Sequence, residues 1–250
     1  MIQKIKLLFF LFPIYCLAQE KVISQNTLYA EYTYTIQMKG APSALVINSM
    51  LTANQYTTLY EMDFLGNSNF QKEEDSEEGV VLYIKPKHNK FVYKDFEERA
   101  IYSIERVEMK PFLVKDSLSF FNWKIENEFK DVIGYKCQKA TTFYRGRNYE
   151  AYFTTAIPYQ TGPWKFCNLP GLILEVYSTD DVFKIEANKL VIKNTAAEIE
   201  NPFQKNIEKA ISWRAFTTEY KKKYNELLHY RGPGGVRMSI PKKGIETYIE

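Results

Sequence analysis

Histidine and cysteine are scarce in this chain, and that scarcity removes most familiar chemistries. Of 250 residues only His88 and His229 are histidines, far apart in sequence. Neither stands in a His-Glu-x-x-His pair or another zinc-ligand spacing, so no metal centre is expected. No Gly-x-Ser-x-Gly elbow is present, which removes the usual exposed nucleophilic serine. No glycine-rich loop precedes a helix. The cluster Gly232-Pro233-Gly234-Gly235 follows one, the wrong end for a phosphate, and no cofactor is expected. Excess charge of one sign is also lacking, with 33 basic residues against 30 acidic ones. Such a balance offers no general attraction to nucleic acid. The local runs Glu73-Glu74-Asp75 and Lys221-Lys222-Lys223 read as solvated faces. Long apolar runs are missing too. Leu7 to Ile14, broken by Pro13, falls short of the about 20 residues a membrane span needs, so no transmembrane anchor is expected.

That short run reads instead as an export signal. Lys4 and Lys6 supply its positive region, and Cys16-Leu17-Ala18 offers the small residues a signal peptidase cuts after. Residues 1–18 are the expected signal peptide, and residues 19–250 the mature domain, in the periplasm or secreted. Tyr15 occupies the slot where a lipoprotein signal needs a small residue, which argues against a lipid on Cys16. Without Lys4 and Lys6 the mature chain keeps 31 basic residues against 30 acidic ones, close to neutral. No repeat, long linker or shift in composition marks a second domain, so one domain is expected.

Two cysteines remain after cleavage, Cys137 and Cys167. In an oxidising compartment they are a possible disulfide, closing a loop of about 30 residues for roughly 3 kcal/mol. The alternative is two separate thiols packed as small hydrophobes.

What the chain has in abundance is tyrosine, with 19 copies, and phenylalanine, with 17, side chains suited to a pleated and half-buried surface. From Leu28 to Lys39 the alternation is clean. Leu28, Ala30, Tyr32, Tyr34, Ile36 and Met38 share one face, and polar residues share the other. Further strands are expected at Ala44 to Asn48, Gln55 to Asp63, Val80 to Lys85, Phe91 to Asp95, Ala100 to Val107 and Ser119 to Glu126. Later ones are expected at Tyr135 to Tyr144, Asn148 to Thr155, Gly171 to Ser178 and Val182 to Ile192. Gly146, in Arg145-Gly146-Arg147, can take the positive φ that a hairpin turn needs. One helix is expected near the end, capped by Thr217 or Thr218. Its apolar stripe is Phe216, Tyr220, Tyr224, Leu227 and Leu228, and the glycine cluster stops it. The fold class is therefore mainly β: a single-domain antiparallel, curved sheet with one C-terminal helix packed on it (α+β).

The stretch from Thr161 to Glu175 carries the densest signal. Gly162-Pro163 and Pro170-Gly171 enclose Trp164 and Phe166, which reads as a rigid surface loop entering an apolar strand. Trp164 and Phe166 either anchor that loop in the core or form a recognition patch, and the area they bury favours the core. A scattered hydrolase site would draw on Cys137, Asp180, Asp181 and His229. Nothing in their spacing links them, and Asp180-Asp181 reads as a solvated turn. Arg145 and Arg147 flank a hairpin turn, where such a pair can grip a carboxylate but more commonly faces water.

Several elements then fall in a familiar order. They are Trp123-x-Ile125, Ile133-Gly134-Tyr135-Lys136-Cys137-Gln138-Lys139-Ala140, Phe143, Gly146-Arg147-x-Tyr149 and Ala151-x-Phe153-Thr154. Ile157-Pro158, Gly162-Pro163-Trp164-Lys165-Phe166 and Leu169-Pro170-Gly171-Leu172-Ile173 complete the series. Over Trp123 to Glu175 the chain resembles the GLPGLI family. Asn168 stands where the family name has its first glycine, and asparagine is the residue besides glycine that best tolerates positive φ. The resemblance implies an exported protein of bacteria with an outer membrane, and it brings no catalytic residue or cofactor.

The expected function is that of an exported, non-catalytic cell-envelope protein. Its partner would be an apolar ligand such as a lipid, a peptide or an envelope protein. The alternatives are an assembly component pairing through a sheet edge and an exported hydrolase with a dispersed site.

Overall fold

In a computed structural model the described residues are 26–37, 43–66, 73–76, 79–82, 87–118, 121–232, 239–242 and 246–249. The expected signal peptide lies outside them, as do most of the glycine cluster and the ends of three expected strands.

Strand β1 (Thr27–Ile36) is the hub of a twelve-stranded sheet. From it the chain meanders outward through β2 (Leu45–Ala53), β3 (Thr57–Met62), β6 (Lys90–Asp95), β7 (Ala100–Val107) and β8 (Lys110–Ser117). It then crosses to the far edge at β9 (Lys124–Val132) and returns by β10 (Tyr135–Tyr144), β11 (Arg147–Thr154) and β12 (Leu172–Ser178). Strand β13 (Phe183–Lys193) closes on the other side of β1. Strands β4 (Glu73–Ser76) and β5 (Gly79–Leu82) form a separate hairpin. A two-residue strand, β14 (Ile211–Ser212), pairs parallel with β8 and leads into the helix α1 (Trp213–His229).

The two-residue period of β1 sets the inner face. Leu28, Ala30, Tyr32 and Tyr34 are buried, as the alternation predicts. Tyr32 packs edge-on against Tyr60 at 6.3 Å, and Ser49 and Tyr60 share a hydroxyl hydrogen bond of 2.7 Å. Two-residue turns drive the hairpins. Ile133-Gly134 and Arg145-Gly146 both take positive φ at each position, as turns matching strand twist require.

The sheet curls, and one loop shows why. Lys94 on β6 and Trp123, just before β9, both hydrogen-bond backbone between Thr161 and Cys167. β6 and β9 stand eight places apart in strand order. On a flat sheet, at about 4.8 Å per strand, they would be nearly 40 Å apart. The sheet therefore wraps around the loop, and Arg145 beyond β10 reaches Asp116 on β8 at 2.7 Å.

Three local expectations are corrected. The helix begins at Trp213 and is capped by Ser212, whose Oγ accepts from Ala215 N at 3.2 Å, while Thr217 and Thr218 bond back to Arg214 O inside the helix. Within the stripe, Phe216, Tyr220 and Leu227 are buried, but Leu228 is half exposed. The strand expected at Ser119–Glu126 starts only at Lys124. Phe121 and Trp123 instead stack at 5.5 Å and pack against Phe166. Strand β8 was not among the expected strands, and near its start stands Pro111. It pairs with Arg106 of β7, and β8 has a second neighbour only at Val114 and Lys115, so the missing N–H costs no ladder bond.

Candidate functional site

The sequence points to a rigid surface loop in Thr161–Glu175 with Trp164 and Phe166 favoured for the core; the structure corrects the first part and bears out the second. Thr161 through Cys167 are all buried, and the loop plugs the inside of the curled sheet. Trp164 and Phe166 are anchors in the core. Phe166 packs on Phe121, Tyr149 and Trp164 at 5.1 to 5.2 Å. Asn168 takes φ 70°, fulfilling the turn geometry its asparagine allows, and its side chain donates to Leu118 O. Leu169, Gly171, Leu172 and Ile173 are buried, and Pro170 is exposed. At Gly171 an added Cβ would stand 2.1 Å from Thr154 O, so only glycine lets the chain pass β11 that closely. Gly162 is buried beside Ile173, and Pro163 O accepts from Phe166 N at 3.1 Å.

A plug with exposed backbone must satisfy its carbonyls, and Lys94 does so. Fully buried, it donates to Gly162 O at 2.6 Å and to Phe166 O at 2.9 Å. Burial pulls its amine down to about 7.

Lys165 is equally buried, and it bridges two carboxylates: Glu105 at 2.9 Å and Glu246 at 2.5 Å. Glu246 also accepts from Arg145, which reaches Asp116 and lies 3.6 Å over the Trp213 ring. Burial drives the Lys165 amine down, but the two carboxylates win and hold it above its ordinary value. The cluster ties the loop (Lys165), a hairpin tip (Arg145), two strands (Glu105, Asp116), helix α1 (Trp213) and the C-terminal segment (Glu246). Arg145 and Arg147 therefore do not face water. Arg147 is buried and pairs with Asp180.

The dispersed hydrolase set is not assembled. Cys137 is buried on β10 beside Tyr135 O, and burial raises its thiol to about 11. Asp180 and Asp181 sit in the exposed β12–β13 turn, and exposed His229 at the helix end contacts Asn225 O. Cys167 is buried near Leu118 O, its thiol also raised to about 11 by burial. Both thiols are free, so the bridge is not formed. Among the described residues no group of three or more His, Cys, Asp or Glu could hold a metal.

Two hollows remain. One, of about 610 Å³, lies at the β2–β3 turn end and is lined by Asn26, Asn54, Gln55 and Gln160 with Tyr56, Phe96 and Tyr159. None of its described lining residues is charged. Asn54 Oδ1 accepts from Tyr56 N and Thr57 N, shaping the turn, and Tyr159 Oη donates to Asn26 O at 3.1 Å. Gln55 and Gln160 are exposed at its mouth. The other hollow, about 130 Å³, adjoins the ion cluster. Sequence reasoning missed both, because each draws its walls from at least four separate segments.

Comparison with known proteins adds a family. Residues 71–214, more than half of the chain, match the family model described as N-glycanase peptide, N-terminal domain. Two crystal forms of PNGF-II share this fold at 15% and 16% identity and a TM-score of 0.50. They cover 79% and 80% of this chain, which spans only 32% and 34% of theirs. A lipoprotein-sorting protein domain from Vibrio parahaemolyticus covers 73% of the chain, and the chain covers 91% of it, at 10% identity and a TM-score of 0.27. No curated protein matches the sequence. No helix among the described residues is long and apolar enough to cross a membrane.

Proposed function

The chain belongs to the family of N-glycanase peptide N-terminal domains, and on that premise we propose that it is an exported, non-catalytic recognition domain for a glycan-bearing peptide. The observation that carries this reading is the uncharged cleft. Carboxamides and aromatic rings lining one hollow of about 610 Å³ suit a neutral ligand rich in hydroxyl and amide groups. A purely apolar ligand fits that lining less well, so of the expected partners the peptide is favoured over the lipid. The non-catalytic part rests on the dispersal of Cys137, Asp180, Asp181 and His229, and on charged groups that brace the loop. Export rests on residues 1–18, and the GLPGLI resemblance points the same way.

Edge pairing is the weaker reading. β9 is an open edge, but Lys124, Glu126, Glu128 and Lys130 line it, and charges of this kind oppose strand addition.

Titration calorimetry with an N-glycosylated peptide, the same peptide without glycan, and the free glycan tests the proposal. Binding of the glycopeptide that Tyr159→Ala or Tyr56→Ala weakens by about tenfold would support it, in line with the loss of one aromatic anchor. Equal heats for the wild type and both variants, or no binding of any of the three, would refute it. Cell fractionation with N-terminal sequencing tests export, and the mature chain should begin at Gln19.

A further inference from the structure

The smaller hollow, independent of the cleft, holds an unmet hydrogen-bonding demand. Tyr34 lines it, on a side chain 1% exposed whose hydroxyl has no hydrogen-bond partner among the described residues. A buried hydroxyl left unpaired costs about 1–3 kcal/mol, so such groups call for an explanation. Glu105 lines the same hollow. Its Oε1 accepts from Lys165 at 2.9 Å and from Ser103 at 2.9 Å. The adjoining cluster sets two cations, Lys165 and Arg145, against three carboxylates, Asp116, Glu105 and Glu246. Within that set the carboxylates outnumber the cations by one, and Lys90, which lines the hollow, supplies the third cation.

The walls are aromatic. Phe64, Phe91, Trp164 and Tyr248 line the hollow, and ring faces attract cations. At the mouth, Lys90 holds its ammonium 4.7 Å over the Phe64 ring. The protein thus already places one of its own cations where this cage would hold another. Trp164 adds a third sign. It takes φ 49°, a conformation rare for a bulky residue, and strain of this kind gathers at functional sites.

We infer that this chamber binds a small organic cation, the ammonium group of a ligand, between Tyr34, Glu105 and the surrounding rings. The ligand displaces the Lys90 side chain from the mouth. Its charge takes the place of Lys90 against the third carboxylate, and it or a water ordered with it supplies the partner the Tyr34 hydroxyl lacks. No bond is made or broken.

Choline and its uncharged carbon isostere, 3,3-dimethylbutan-1-ol, are the probes. They share a shape and differ in the charge, so calorimetry on the full mature chain isolates the electrostatic part. The expected result is choline binding at least about tenfold tighter than the isostere, the ratio expected for a partly desolvated cation–π site. Tyr34→Phe and Glu105→Gln should each weaken choline, and Lys90→Gln should strengthen it. Glu105→Gln risks the fold because it weakens a partner of Lys165. Tyr34→Phe removes an atom that bonds nothing described and keeps the test valid. Equal binding of both probes overturns the inference, as does no binding to a folded protein or choline binding that Tyr34→Phe leaves unchanged. A chamber filled by water alone would give the second of these results.

Discussion

Lys165 and Lys139 each bridge two glutamates, and their surroundings give the two bridges different meanings. Lys165 is fully buried between Glu105 and Glu246 inside the curled sheet. Lys139 joins Glu128 and Glu150 at 3.2 and 2.9 Å on the outer face, where Glu128 is half exposed. Outside, water competes for every charge, and Tyr152 and Tyr177 complete the network by donating to the same carboxylates. Inside, nothing replaces a lost partner. The same residue types therefore decorate one face and clamp the other.

The comparison is broken most decisively at Lys165. Lys165→Met leaves Glu105 without its cation and Glu246 with Arg145 alone, and should lower the unfolding free energy by about 3–5 kcal/mol in chemical denaturation. Lys139→Met should cost only a small fraction of that. If the two variants unfold at the same denaturant concentration, the clamp is no stronger than the decoration.

Gly171→Ala probes the plug from its backbone. A Cβ at 2.1 Å from Thr154 O forces the chain away from β11, and a loss of about 1–3 kcal/mol is expected, read as a lowered Tm. An unchanged Tm would mean the loop has slack.

Lys94 sharpens the comparison through pH. Its folded value of about 7 lies below the unfolded one, so between pH 7 and 9 the unfolded state binds more protons and stability rises with pH. The slope should approach 1.4 kcal/mol per unit, the limit for one proton. Cys137 and Cys167 work the other way. Raised to about 11, they contribute stability below their unfolded value and lose it above, so the curve should turn over near pH 9. Lys94→Met should flatten the rise between pH 7 and 9, and a persistent rise would assign it to another group.

The smallest effect is expected at Tyr34. Without ligand, Tyr34→Phe should change stability by no more than about 0.5 kcal/mol, or raise it, since the hydroxyl is unpaired. A large loss would reveal a partner for it.

Legibility in the sequence followed the range of the interaction. The alternation of β1, the Arg145-Gly146 turn and the tolerance of Asn168 for positive φ are local matters, and all were readable. Strand β8 was not expected, and the harmlessness of its Pro111 depends on which neighbour lies beside it. The helix start was misplaced because Thr217 and Thr218 look like caps, while Ser212 became one only through β14 pairing with β8. The aromatic loop was found and its Trp164 and Phe166 were favoured for the core, but burial of the whole segment was not read. Burial of Thr161–Cys167 follows from how far the sheet curls, and no residue in the loop encodes that.

The order of apolar and polar side chains, acting on neighbours in the chain, was enough to determine a strand-rich domain with a terminal helix. Which charges would be clamped, which hydroxyl would be left alone and where hollows would open were settled only when strands eight places apart met around one loop. Local preference acts over a few residues, whereas those features depend on groups 50 to 100 residues apart being brought together and stripped of water, a condition that exists only once the sheet has closed on its plug.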